Sequence, residues 1–183
     1  MSFLSWVRTL VKSKAAPAVK AQCEIHETGY SAPGRIESPL DYDQLIHLDA
    51  ELLAEQGMGE AYEALLPELR KHLAEPAALK EFVDADAGSY SVLFGGQEHL
   101  VYGPQASAAE AESWGRATFI FFQLINSQLS GTAVRFYALN GGNDLAGMFL
   151  SPETAQLAQA NLPRKSDWPY IPELNSPWYG QPH

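Results

Sequence analysis

The chain has 183 residues, 46% of them hydrophobic and 11% aromatic, which is enough for one sizeable core in one domain. Its formal net charge of -10 is regional: residues 37–86 carry thirteen acidic side chains against three basic ones, Arg70, Lys71 and Lys80, and the remainder is balanced. A field of that sign repels phosphate backbones, which argues against nucleic-acid binding through this region, and a single cysteine, Cys23, excludes an internal disulfide and fits a reducing compartment.

Residues 1–36 form a basic N-terminal segment and loop. Phe3, Val7 and Leu10, with Leu4 and Val11 beside them, recur at helical spacing, and Arg8, Lys12, Lys14 and Lys20 supply positive charge. Such a helix can touch an anionic membrane, or pack its apolar side on the domain, or fray; one segment of this kind gives no stable membrane anchoring. Arg8 interrupts an apolar run too short for a secretory signal, so an uncleaved, cytoplasmic protein is expected.

Residues 37–86 read as acidic helices. Ser38 and Pro39 look like an N-cap followed by proline in the first turn, and Asp41 favours the helix dipole. Tyr42, Leu45, Ile46, Leu52 and Leu53 gather on one side of a first helix that stops at Gly57 and Gly59. On its other side Asp43, His47, Glu51 and Glu55 fall at successive i,i+4 positions, an acidic ridge that is either an ordinary solvated face or a docking surface for a basic partner. A second helix is expected over 60–75 with Tyr62, Leu65, Leu66, Leu69 and Leu73 inward, and Pro67 either kinks it or starts a new one. A third, shorter helix from Pro76 carries Leu79, Phe82 and Val83 and ends before Gly88.

Residues 88–162 read as hairpin, helix, hairpin, helix. Two β-prone runs flank Gly95 and Gly96, and two more, 134–139 and 145–150, flank NGGND, whose residues suit positive backbone angles. Between them a helix over 108–129 presents Trp114, Thr118, Phe121, Phe122, Ile125 and Leu129 and is apolar all round at FIFF, which suits a buried spine. Ser151 and Pro152 begin a last short helix containing Thr154, Leu157 and Leu162. The tail, 163–183, is rich in proline and must run extended over a surface; Trp168, Tyr170, Trp178 and Tyr179 either pack back on the domain or stay exposed as binding anchors.

Chemical motifs are sparse. Walker-type loops, HExxH, GxSxG and paired CxxC are all absent, so neither catalytic residues nor a cofactor are assigned. Cys23 and His26 have zinc-compatible spacing without the two further ligands a structural site wants. Asp84 with Asp86, and Asp41 with Asp43, lack the closing glutamate of an EF-hand, so no metal site is expected. His47, His72 and His99 lie in separate elements, where one could meet an acid and act as a base.

The expected fold is α+β: acidic helices packed with an antiparallel sheet made from two β-hairpins, and a buried central helix. In that overall character, small, acidic, α+β and without a catalytic motif, the chain resembles the bacterial immunity proteins that neutralise type VI or other polymorphic toxins. The resemblance implies a binding protein that covers a cognate toxin, such as a nuclease, by steric and electrostatic occlusion. The acids that such a basic protein partner would meet are Asp43, Glu51, Glu55, Glu60, Glu63 and Glu68, with Trp178 as an aromatic anchor. The alternative is a small-ligand binder or enzyme with a pocket between sheet and helices, using His99 or an aspartate.

Overall fold

Two antiparallel three-stranded sheets and four helices make up residues 39–104 and 110–183, the part of the chain that a computed structural model describes. Mixed helix and sheet is therefore the fold class. The basic segment 1–36, with Cys23 and His26, lies outside the described residues, as does Ser38.

The first expected helix is not there. Its stretch is divided into a 3-10 turn, Tyr42–Gln44, a short strand β1, Ile46–His47, and a short helix α1, Ala50–Ala54. The division is made by Asp49, whose Oδ1 accepts hydrogen bonds from the Glu51 and Leu52 amides at 2.8 and 3.1 Å and so begins a helix where the sequence reads as the middle of one. Tertiary pairing does the rest, because Ile46 and His47 lie antiparallel to Gly147 and Ala146. Tyr42 and Leu52, expected inside, are exposed.

Helix α2, Met58–Leu69, buries Tyr62, Leu65, Leu66 and Leu69 as their spacing requires and runs unbroken through Pro67, which sits in its last turn. Leu73 falls beyond its end and is half-buried. The third expected helix is strand β2, Leu79–Asp84. Leu79, Phe82 and Val83 imitate a helical stripe, but all six residues of β2 pair with β3, Ser89–Phe94, and Asp84 Oδ1 closes the connecting turn by accepting from the Asp86 and Ala87 amides.

Gly95 and Gly96, at φ of 57° and 82°, turn β3 into β4, Gln97–Tyr102, completing the first sheet in the order β2-β3-β4. Helix α3, Glu110–Gln128, then leads to β5, Arg135–Leu139, and β6, Ala146–Leu150, which turn about Asn140 and Gly142, both at positive φ, and form the second sheet in the order β1-β6-β5. The hairpins thus belong to two sheets, not the single one expected. Ala117, Phe121, Phe122 and Ile125 of α3 are buried in the same core as Tyr90 and Val92 of the first sheet and Phe136 of the second. An aromatic column runs through it: Phe122 stacks on Phe136 at 4.7 Å, Phe136 lies 4.7 Å from Phe149, and Phe149 lies 4.8 Å from the His72 ring.

Helix α4, Pro152–Asn161, is capped by Ser151, whose hydroxyl oxygen accepts from the Thr154 amide at 3.1 Å, and buries Ala155 and Ala158; Leu157 points to solvent. The tail is tied down. Tyr170 exchanges both backbone hydrogen bonds with Ala138 at 2.8 and 2.9 Å, the Trp168 indole donates to the Leu162 carbonyl, and the Tyr179 ring fills the space that a side chain at Gly115 would occupy. Among the described residues no helix is long and apolar enough to cross a membrane.

Candidate partner-binding surface

Period-two alternation sorts the first sheet into two unlike faces. Tyr90, Val92 and Phe94 point inward, where Phe94 meets Tyr62 of α2 edge-on at 6.1 Å. The other face carries Lys80, Phe82 and Asp84 of β2, Ser89, Ser91 and Leu93 of β3, and Glu98 and Leu100 of β4. Register aligns Phe82, Ser91 and Leu100 side by side across all three strands. Phe82 is 50% and Leu100 41% exposed.

Between them Ser91 is buried, and its hydroxyl donates to Glu98 Oε1 at 2.5 Å, holding that carboxylate beside the apolar pair. Phe82, Asp84, Asp86, Ser89, Ser91 and Glu98 line an open groove of about 560 Å3 at this end of the sheet. An apolar centre with a polar rim is an arrangement common at protein-docking faces. The inner edge is braced from beneath: Tyr90 donates to Glu81 Oε1 at 2.5 Å, and burial first, then Glu81, keeps the Tyr90 phenol well above its ordinary pKa and therefore a donor.

The acids singled out from sequence do not form one ridge. Asp43 sits in the 3-10 turn, His47 on β1, Glu51 on α1, where the Asn143 amide donates to it at 3.4 Å, and Glu55 at the C-terminus of α1 beside Gln56, Tyr102 and Trp114. Glu60 and Glu63 are on the exposed side of α2, and Glu68 is taken up by Lys71 at 2.7 Å. The ridge fails because its i,i+4 spacing spans three different elements. Trp178 is 52% exposed and stacks on the His183 ring at 4.6 Å. Phe82, Glu98 and Leu100 were not among the candidate site residues; hairpin register about Gly95 and Gly96 would have placed Leu100 opposite Ser91, but the partner strand β2 read as a helix.

A second open groove, about 490 Å3, lies over β1 and the β5–β6 turn and is lined by His47, Asn140, Asn143, Asp144, Ser166 and Gln181 among others. The turn is braced there, since the Tyr170 hydroxyl donates to the Asn140 carbonyl at 2.8 Å. His99 lies on β4 opposite Val92, away from this groove, and His72 is stacked in the aromatic column. Among the described residues no group of three or more histidines, cysteines or acids is placed to hold a metal ion.

No protein-family model matches the chain, and no curated protein or solved structure shows significant similarity to it.

Proposed function

We propose that the protein is a binding protein that occludes a cationic protein partner, a cognate toxin in the manner of the immunity proteins it resembles, through the outer face of the β2-β3-β4 sheet. The observation that carries this reading is the lateral alignment of exposed Phe82 and Leu100 across Ser91, with Glu98 fixed beside them. Exposed apolar side chains in contiguous register supply the anchor, and Asp84, Asp86 and Glu98 select positive charge around it. Acids at a rim act mainly on the association rate and the anchor on the dissociation rate.

The test uses the full chain immobilised as bait, with its captured cationic partner then purified for kinetics. Leu100→Glu should raise the off-rate, and reversing Asp86 and Glu98 to Lys should lower the on-rate about tenfold at low salt, a loss that shrinks as salt is added. Wild-type rates in both variants would remove the reading.

A specific observation favours a second reading, a small polar ligand: His47 and Asp144 line the same groove as three carboxamides, Asn140, Asn143 and Gln181. A compound that raises the melting temperature of the wild type but not of His47→Ala and Asn143→Ala would support it.

A further inference from the structure

We propose that two copies of this chain pair antiparallel through β2, edge to edge, into one six-stranded sheet. Among the described residues β2 has a strand on one side only, and its other edge offers a row of unpaired backbone groups. Positions 80 and 82–84 of β2 are exposed, while α2 packs on its inner side, where Glu81 meets Gly59.

The side chains make the edge complementary to itself. On the outer face β2 reads Lys80, Phe82, Asp84. A two-fold axis through Phe82 sets Phe82 against its own copy, Lys80 against the second copy's Asp84, and Asp84 against the second copy's Lys80. A single lysine on an edge is a common guard against such pairing, but an acid at the mirror position converts the guard into a partner. On the inner face the same axis places Glu81 against Val83, which brings no like charges together. Antiparallel pairing about Phe82 works with either set of backbone groups turned outward, because the central pair is then either hydrogen-bonded or not, and both occur in ordinary ladders. Such an interface is isologous and closes at two copies. It is also small, so the dimer is weak.

This inference stands apart from partner docking: the paired sheet leaves the outward side of Phe82 and Leu100 open, and its test needs no partner. Analytical ultracentrifugation of the full chain across its dissociation constant should show a monomer–dimer equilibrium. Lys80→Asp alone and Asp84→Lys alone each set like charges opposite one another twice and should weaken the dimer about tenfold or more. An equimolar mixture of the two variants restores both opposite-charge pairs and should recover dimerisation as a heterodimer.

A wild type that stays monomeric to about 1 mM, or single variants that dimerise normally, or a mixture that fails to recover, would each overturn the proposal. A monomer whose β2 is protected only when a cationic partner is added would show that a partner strand occupies the edge instead, and overturns it too. Asp84 also closes the β2–β3 turn, so Asp84→Lys could fail to fold. Amide exchange of residues 79–84 in the wild type then decides: protection must rise with protein concentration, and exchange independent of concentration rejects the dimer.

Discussion

The Tyr90 hydroxyl and the Glu81 carboxylate share a 2.5 Å hydrogen bond beneath the edge of the first sheet. Glu81 also occupies the space beside Gly59, in the first turn of α2, a helix whose N-cap, Gly57, supplies no side-chain hydrogen bond. A carboxylate from another strand therefore stands where the helix dipole favours negative charge. Glu81→Ala leaves a buried phenol without this acceptor and should cost about 1–3 kcal/mol in urea unfolding at pH 7. Glu81→Gln keeps an acceptor and should cost less; equal losses would show that the hydrogen bond does not matter.

Alkaline pH should expose the buried phenols. Burial pushes the Tyr170 pKa up to about 12, and Tyr62 and Tyr90 are raised chiefly by the same cause. A group whose folded pKa lies above its unfolded value near 10 holds its full stabilisation below pH 10 and loses it as the pH rises toward 12. Urea midpoints should accordingly fall between pH 10 and pH 12. Tyr170→Phe should lower the midpoint at pH 8, because the bond to the Asn140 carbonyl is gone, yet make the alkaline decline shallower. An unchanged alkaline slope would contradict the burial argument.

Helix α1 depends on one side chain. Asp49→Ala removes both hydrogen bonds to the Glu51 and Leu52 amides and should destabilise the protein by about 1 kcal/mol, with Asp49→Asn retaining most of that. Faster amide exchange confined to residues 50–55 is the expected signature, and a uniform loss across the protein would argue for a different role.

In the second sheet, the Phe136 ring lies over the α-carbon of Gly147 and fills the space of any side chain there. Gly147→Val must displace that ring from the column it forms with Phe122 and Phe149, and overpacking of this kind costs about 1–3 kcal/mol. Near-ultraviolet circular dichroism should change with the loss in stability. A variant as stable as the wild type with the same spectrum would mean that the column yields freely.

Local signals were legible where they were local. Gly95 with Gly96 and the NGGND stretch announced two hairpins, the all-round apolar FIFF announced α3, and Ser151 with Pro152 announced α4. What sequence reading missed depends on distant partners. Ile46 and His47 are a strand only because β6 lies beside them, and Asp49 reads as a helix interior until its side chain turns back on the next amides. Leu79, Phe82 and Val83 fit a helix by spacing alone, and pairing with β3 overrode that preference. The same error hid the candidate site. Phe82 and Leu100 become neighbours only through Ser91, and the acidic ridge expected from 43 to 55 disappears once its residues are divided between a turn, a strand and a helix.

The two-residue strand β1 has a topological consequence. Ile46 pairs with Gly147, so the second sheet is completed by residues on either side of the first sheet in the chain. No cut between the sheets yields two self-sufficient pieces: a fragment ending after β4 keeps β1 without β6, and its complement keeps β6 with an open edge. Pairing Ile46 with Gly147 is a contact between residues far apart in the chain, which slows folding and ties both sheets to one transition. Because α3 shares one core with both sheets, the two sheets should open together under force.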